Sequence, residues 1–435
     1  MKRLDSSVLA TLTGVEKPNY DRSQLQTGMV HVGVGGFHRA HQAAYTEQTL
    51  NSGDLRWGTV GASLQSTRTR DALAPQDFLY TVATRDSDQE SLVIHGGLTG
   101  MVTDSDALLA AISNPEVKVV TLTITEKGYG EGGVAAILAA AIKTRMQSGA
   151  PLTCVSCDNL MGNGQVLRES VQSASDANVK NWMRDNVSFP STMVDRITPQ
   201  TTATDIERVA ALGGYQDNAP VVCEPFSQWV IEDEFRTERP PWEMAGALLV
   251  SDVAPYEQAK LRMLNASHSM FAYLGLLKGY EYVHEAASDK RLNQFVLDAL
   301  DQEIIPNIEV PAGMDANEYV QSIMQRFQNS AVPYRTAQVA SDGSAKLPQR
   351  IYPTAQTIWA RGEAAPLLEL AISAWFATLR DSRFDYPDPA RQDTRSPREA
   401  YWQSFPAEVQ ERLVGIYDEL GAGGLDARLT LSVEK

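Results

Sequence analysis

The first half of the chain alternates between strand-like and helix-like segments, and this alternation constrains the fold more than any other feature. Short apolar runs predict strands at Met29–Gly35, Trp57–Ser63, Val117–Thr125, Leu152–Cys157, Val221–Cys223 and Leu248–Ser251. Runs with helical spacing predict helices at Phe37–Leu50, Asp104–Ile112, Gly133–Met146 and Val166–Asp185. This order is typical of an α/β fold, in which crossover helices cover a parallel sheet in a Rossmann-type domain.

After Pro255 the pattern becomes helical throughout. Long helical patterns cover 256–277, 290–303, 315–328, 364–380 and 407–419, and no strand-like run interrupts them. We therefore predict a Rossmann-type domain over residues 1–250, followed by a mostly α-helical domain over residues 251–435. Because ligands usually bind in clefts between domains, the start of the helical domain is a candidate site.

Composition narrows the classes of partner. The 435 residues carry a formal net charge of −16, which argues against nucleic acid and anionic membranes as partners. No apolar run approaches the ~18 residues of a membrane-spanning helix, and the first residues predict no signal peptide. The whole chain has three cysteines, which favours a reducing compartment. We therefore expect a cytoplasmic protein.

Two of the cysteines, Cys154 and Cys157, form a Cys-x-x-Cys sequence. They lie on a predicted buried strand, where a spacing of three directs the two thiols to opposite faces. A redox or zinc role is therefore disfavoured.

A glycine cluster follows the first predicted strand. Gly33 and Gly35 suit the tight turn and close backbone approach that a dinucleotide pyrophosphate requires, and Gly36 and Phe37 begin the predicted helix. The third glycine of the usual fingerprint is replaced by His38, so a purely structural turn is the alternative. We take Gly33, Gly35, Gly36 and Phe37 as candidate cofactor-binding residues.

The second predicted strand bears on the choice between NAD and NADP. NAD enzymes hold the ribose 2′-hydroxyl with a carboxylate after this strand, but no acidic residue occurs between Leu55 and Arg70. Gln65, Ser66 and Arg68 are found there instead, so NADP stays open. His38 and His41 have no neighbouring third ligand in the sequence and are interpreted as ordinary helix residues, with no metal.

The predicted helix over 256–277 carries three polar residues, Lys260, Asn265 and His268, on an otherwise apolar run. At about 100° per residue, Lys260, Leu264 and His268 share one face and Asn265 lies beside it. Burying such groups costs roughly 2–7 kcal/mol each unless they find partners. Burial also lowers the pKa of a lysine, which makes it a candidate general base. The alternative is a lysine that extends to solvent and a histidine satisfied in the core.

Seven segments together resemble the mannitol dehydrogenase family of polyol-specific long-chain dehydrogenases and reductases. They are HVGVGGFHRAHQA (31–43), TLTITEKGYG (121–130), SCDNLMGNG (156–164), FPSTMVDRITP (189–199), CEPFSQWVIEDEF (223–235), KLRMLNASHS (260–269) and SDGSAKLPQR (341–350). The resemblance implies a Rossmann domain that binds NAD, a helical substrate domain, and metal-independent hydride transfer between NAD(P) and a secondary alcohol.

The resemblance also implies a role for each site residue. Lys260 would be the general base, Asn159 and Asn265 an oxyanion hole, and His268 the group that orients the substrate. Asp195 would bind a substrate hydroxyl and Glu257 would help the proton leave. Lys346 would contact the substrate far from the reacting carbon, and Glu126 would lie near the nicotinamide. Without the resemblance, Asn159, Asp195 and Glu126 fit a turn, a helix cap and a solvated loop.

The substrate stays open between a hexitol such as D-mannitol, oxidised to D-fructose, and D-mannonate, oxidised to fructuronate. A sugar-acid carboxylate needs a cationic clamp, which Arg335, Lys346 and Arg350 offer. We favour the hexitol as the general activity of the family. A non-catalytic nucleotide-binding redox sensor is a more distant alternative. Family precedent and the acidic surface favour a monomer.

Overall fold

The computed structural model describes residues 1–87, 89–124, 126–130, 132–393, 395 and 401–433. Within these ranges the chain divides into two compact units, Met1–Ala254 and Pro255–Lys435. The first unit is built around β-sheets and the second is helical. The predicted fold class, a Rossmann-type α/β domain followed by a mostly helical domain, is therefore confirmed.

A six-stranded parallel sheet forms the centre of the first unit. Its strands lie in the spatial order β5-β2-β1-β6-β7-β8, and every adjacent pair is parallel. Their bounds are β1 Thr27–Val32, β2 Gly58–Ala62, β5 Leu98–Val102, β6 Val119–Leu122, β7 Leu152–Ser156 and β8 Val187–Ser188. The strand order reverses between β1 and β6, and ligands of open α/β sheets bind outside the carboxyl ends of the strands at such a switch point.

Two three-stranded sheets complete the strands of this unit. One has the order β10-β3-β4 and the other the order β12-β11-β9. Their bounds are β3 Tyr80–Arg85, β4 Glu90–His95, β9 Thr192–Asp195, β10 Val221–Cys223, β11 Gln228–Glu232 and β12 Leu248–Val250. The sequence predicted β10 and β12 but not the other four, nor β5 and β8 of the main sheet. The missed strands lack a regular alternation of apolar and polar residues, so pairing in the folded chain rather than local pattern defines them.

Helices cover the central sheet. Those of the first unit are α1 Ser6–Thr11, α2 Gly36–Ala40, α3 Gln42–Asn51, α4 Arg68–Leu73, α5 Ser105–Ser113, α6 Val134–Ser148, α7 Asn163–Ser173, α8 Ala177–Asn186 and α9 Ala203–Gly213. The predicted helix over Val166–Asp185 is in fact two, because the Asp176 carboxylate caps α8 by accepting from the amides of Asn178 and Val179. No helix in the described part of the chain is long and apolar enough to span a membrane.

The second unit consists of helices only, as its described residues contain no strand. Its helices are α10 Ala254–Ala259, α11 Ala266–Lys278, α12 Val283–Ser288, α13 Lys290–Asp298, α14 Ala316–Gln328, α15 Thr336–Ala340, α16 Gly343–Arg350, α17 Tyr352–Trp359, α18 Pro366–Arg380, α19 Ala407–Gly421 and α20 Leu425–Val433. Almost every side chain of α11 and α18 is buried, and these two helices pack against each other. Among the described residues, π-helical turns at Lys260–Asn265 and Ala299–Ile304 interrupt the α-helical winding.

Candidate active site

The glycine turn follows β1 at the switch point of the central sheet. Gly33 has a φ of +102°, and a Cβ there would lie 2.1 Å from the carbonyl oxygen of Thr123. Only glycine fits this position. A Cβ on Gly35 would meet nothing closer than the Gly33 oxygen at 3.8 Å, and one on Gly36 would make an ordinary 3.7 Å contact with Thr198. The backbone at Gly35 therefore borders open space.

The helix after this turn is short because His41 leaves the helical conformation, with φ −113° and ψ −88°. Its ring nitrogen Nε2 lies 2.9 Å from the Gln228 carbonyl oxygen. Phe37 stacks on the same imidazole, with 5.0 Å between ring centroids. The sequence predicted one helix over Phe37–Leu50; the contact with β11, distant in sequence, divides it into α2 and α3.

His38 lies inside the protein, where its ring stacks on that of His31 with 3.4 Å between centroids. Burial lowers the pKa of His31 to about 3 and that of His38 well below its usual range. Both imidazoles are therefore neutral packing groups. Among the described residues, no group of three or more histidine, cysteine or acidic side chains is placed to hold a metal ion.

The loop after β2 has no acidic side chain that could hold the ribose 2′-hydroxyl of NAD. Gln65, Ser66 and Arg68 are exposed there, and Arg70 pairs with Asp71 at 2.6 Å. The backbone of Glu126 forms the start of a 3-10 turn that ends at Tyr129, but its side chain lies outside the described residues. The contact predicted between Glu126 and the nicotinamide therefore stays a prediction.

Asn159 lies in the loop that leaves the carboxyl end of β7, and its side chain is exposed. A buried amide, Asn163, anchors this loop: its Nδ2 donates to the carbonyl oxygens of Asp158 and Thr192, both at 2.8 Å, and its Oδ1 accepts from the Thr192 amide at 2.9 Å. Tyr129 donates to the Asp158 carboxylate at 2.6 Å. Sequence reasoning missed both supports, although they lie inside the segments that carry the family resemblance.

Asp195 is the last residue of β9, and its side chain is buried. The next residue, Arg196, donates through Nη1 to the Ala40 carbonyl at 2.5 Å and through Nε to the Glu224 carbonyl at 3.1 Å. The end of β9 is therefore held close to the end of α2 and to the segment after β10.

In the second unit, Lys260 and Asn265 are the first and last residues of one π-helical turn between α10 and α11. Glu257, one turn before the lysine, is buried, as is Asn265, whereas Lys260 is partly exposed. In an α-helix, side chains five residues apart diverge by about 140°. The i→i+5 bonds of a π-helix bring them much closer to one side. Asn265 therefore lies closer to the side of Lys260 than it would in a regular α-helix.

His268 follows on α11, between two aromatic rings. It stacks on Phe327 with 5.0 Å between centroids and meets Tyr334 edge-on at 5.1 Å. Two rings from separate elements therefore fix the plane of this imidazole. No local pattern in the sequence predicts either aromatic partner.

The three predicted cations of the clamp have different surroundings. Lys346 and Arg350 lie on α16, which packs against the π-helical turn. Burial, followed by the charge of Arg350, lowers the pKa of Lys346, and its Nζ donates to the Ser341 carbonyl at 2.6 Å. Arg335 lies instead at the start of α15, exposed and paired with Glu281 at 3.1 Å. Its predicted contact with substrate stays a prediction.

Both halves of the chain match models of one protein family. Residues 27–244 match the mannitol dehydrogenase Rossmann domain, and residues 252–409 match the mannitol dehydrogenase C-terminal domain. These two matches cover most of the chain and meet near the boundary between its two units.

Individual relatives agree with the family models. The chain is 36% identical to D-mannonate oxidoreductase from Escherichia coli, over 83% of this chain and 82% of that protein. It is 37% identical to mannitol 2-dehydrogenase from Aspergillus terreus, over 91% and 88% respectively. The ternary complex of Pseudomonas fluorescens mannitol 2-dehydrogenase with NAD and D-mannitol is 33% identical, with a TM-score of 0.87 over 100% of both chains. The chain belongs to the mannitol dehydrogenase family and is a dehydrogenase.

Proposed function

We propose that this dehydrogenase transfers hydride between NAD and a secondary alcohol of a polyol, with D-mannitol and D-fructose as the favoured pair. One observation carries the proposal: the π-helical turn that brings the amine of Lys260 and the buried amide of Asn265 toward one side of the helix. A base and an oxyanion donor are the two groups that oxidation of an alcohol requires.

The residues of the first unit fit a dinucleotide. Gly33 takes a left-handed conformation that directs the chain away from β1, and the backbone at Gly35 borders space that a side chain would reduce. The turn lies at the switch point of the sheet, where such cofactors bind. Exposed Arg68 and the missing carboxylate after β2 keep NADP as a second possibility.

The chain's own residues would supply proton transfer and charge stabilisation. Neutral Lys260 takes the hydroxyl proton through Nζ, while the carbon–hydrogen bond breaks and a carbonyl forms. The amides of Asn265 and Asn159 donate to the oxygen as its negative charge grows. Glu257 assists the proton's exit, and His268 orients the substrate. The chemistry supplied by bound NAD is acceptance of the hydride.

Asp195 and Lys346 would hold the remaining substrate hydroxyls. Asp195 is a buried carboxylate at a strand end, a group that accepts hydrogen bonds from hydroxyls. The lowered pKa of Lys346 suits an amine that makes contacts inside a partly buried site. Arg335 keeps its proposed role only if it leaves the Glu281 ion pair.

D-Mannonate is the alternative substrate, favoured by two cations on one helix. Lys346 and Arg350 are one turn apart on α16, which is a suitable spacing for a carboxylate clamp. A relative named D-mannonate oxidoreductase is 36% identical to the chain. This reaction would use the same base and oxyanion donors.

A parallel assay of D-mannitol and D-mannonate, each with NAD and with NADP, tests the proposal. We expect turnover of at least one of the two substrates, with NAD preferred. Turnover of neither would contradict the proposal. Cofactor binding in the absence of any turnover would favour the nucleotide-binding sensor.

We also propose that the protein is monomeric and cytoplasmic. All three cysteines are free and buried, as expected of a chain that folds in a reducing compartment. Burial raises the pKa of Cys154 to about 12 and also raises that of Cys157, so neither thiol is activated. Light scattering coupled to size exclusion tests the oligomeric state.

A further inference from the structure

The carbonyl that closes the π-helical turn has two side-chain partners. Nη1 of Arg350 lies 3.4 Å from the Asn265 carbonyl oxygen and 3.1 Å from Oγ of Ser269. The Ser269 hydroxyl donates to the same carbonyl at 3.1 Å. A guanidinium and a hydroxyl therefore meet on the main chain of Asn265, where the winding returns from π to α.

Asn265 is the residue at which the π-helical turn ends and α11 begins, and both side-chain bonds are made to its carbonyl. A π-helical turn inserts an extra residue into the α-helical ladder, so the regular hydrogen bonds are interrupted at its ends. Bonds from a charged donor are roughly twice as strong as neutral ones. Arg350 is thus suited to hold the turn in its π-helical register.

Arg350 lies on a helix whose first turn is closely packed. It is the last residue of α16, whose first residue, Gly343, packs so closely that a Cβ would lie 2.4 Å from both Trp375 Nε1 and Tyr273 Oη. The preceding residue, Asp342, adopts a left-handed conformation with φ +56°. The Asp388 carboxylate accepts from the Ser344 amide at 3.0 Å. The first turn of α16 is therefore fixed within the second unit.

We propose that Arg350 is a positioning residue for hydride transfer, because it fixes the π-helical turn that sets the spacing of the Asn265 amide from the Lys260 amine. The proposal rests on the proposed function. This role differs from that of Arg350 in a cationic clamp for a sugar acid. A guanidinium that holds the Asn265 carbonyl affects the turnover of every substrate, whereas a clamp affects only the binding of acids.

The same turn offers a matched control. Arg262 lies within it, and its Nη1 donates to the Gln349 carbonyl on α16 at 2.7 Å. It links the same two elements as Arg350 but does not bond to the Asn265 carbonyl. Comparing Arg350→Gln with Arg262→Gln therefore separates control of the turn from general docking of α16.

The experiment begins with the substrate that the wild-type protein turns over, and absence of any turnover there would contradict the proposed function itself. The variants Arg350→Gln, Arg350→Lys and Arg262→Gln are then compared in kcat, KM and the primary isotope effect with substrate deuterated at the reacting carbon. Thermal unfolding and NAD titration show whether each variant folds and binds cofactor.

We expect Arg350→Gln to lose about 10–100-fold in kcat, as misplacement by ~1 Å can cost, with little change in KM and a larger isotope effect. Arg262→Gln should stay within about twofold of the wild type, since it leaves the carbonyl bonded. Equal losses in the two variants, or a rise in KM alone, would overturn the proposal. If Arg350→Gln does not fold, Arg350→Lys provides the test, because lysine retains the charge but not the planar fork of arginine. Unchanged kcat and isotope effect in Arg350→Lys would then overturn the proposal.

Discussion

Lys260 and Asn265 are the first and last residues of a single π-helical turn, and this winding reduces the angle between their side chains. In a regular α-helix these two side chains would diverge by about 140°. The turn is supported from outside the helix, because the Asn265 carbonyl accepts from Arg350 and Ser269. Single π-helical turns are uncommon and often occur at functional sites.

Replacing Lys260 with alanine should abolish most turnover. We expect kcat to fall by about 10²–10⁴, the usual contribution of a general base, while NAD binding measured by fluorescence titration stays unchanged. Small primary amines should restore part of the rate. Lys290→Ala, on the exposed start of α13, serves as the control. A Lys260→Ala variant within tenfold of the wild type would rule out the lysine as the base.

Two glycines of the same turn should respond differently to alanine. Gly33→Ala places a Cβ 2.1 Å from the Thr123 carbonyl oxygen at a φ of +102°, so we expect a loss of at least about 2 kcal/mol in the free energy of unfolding. Gly35→Ala should fold with near-normal stability but bind NAD at least tenfold more weakly, as bound cofactor would approach this backbone.

Urea unfolding and NAD titration of both variants check this pair of predictions. Gly100→Ala is the control, because a Cβ there has nothing within 4 Å and the residue lies in the same sheet. Unchanged NAD affinity in Gly35→Ala would place the cofactor elsewhere.

His95 should make the protein less stable in acid. Burial lowers its pKa to about 3 from an ordinary 6.5, so between these values the unfolded chain binds a proton that the folded chain does not. The free energy of unfolding therefore falls as the pH falls through this window. In His95→Phe, which keeps a ring beside Tyr80, the contribution disappears.

The measurement is urea unfolding of wild type and His95→Phe at pH 7.5 and pH 5. Between pH 7.5 and pH 5 the free energy of unfolding of the wild type should fall by about 2 kcal/mol more than that of the variant, because one histidine of the unfolded wild-type chain takes up a proton. Glu47, whose pKa burial raises to about 7, acts in the opposite direction but is present in both proteins. A difference that does not depend on pH would show that His95 is not a buried neutral group.

Asn163→Ala should loosen the loop that carries Asn159. It removes three buried hydrogen bonds to the backbone of Asp158 and Thr192, and unsatisfied buried groups cost about 1–3 kcal/mol each. We expect a loss of at least about 2 kcal/mol in stability, together with lower kcat. Gln165→Ala removes one exposed bond to Glu169 and should change neither. Wild-type stability in Asn163→Ala would show that this amide does not anchor the loop.

The sequence alone predicted the architecture and most of the main sheet. All six predicted strands are present, four of them in the main sheet. These strands and the long helices rest on local pattern, because burial of one face imposes a period on the chain. The resemblance across seven segments named the family, and the family models confirm it. The strands β3, β4, β5, β8, β9 and β11 were missed because their residues do not alternate regularly between apolar and polar, so pairing in the folded chain defines them.

The local geometry of the site was decided by tertiary structure. The pattern of residues 256–277 predicts an even α-helix, and nothing in it marks an extra residue per turn between Lys260 and Asn265. At the end of that turn Arg350, on α16, adds a side-chain bond to the Asn265 carbonyl. His41 likewise ends α2 through its bond to Gln228. The sequence by itself thus determined which chemical groups are present and on which elements they lie. Long-range hydrogen bonds set the direction in which those groups point, because a change in helical winding alters which backbone groups are bonded and partners distant in sequence bond to them.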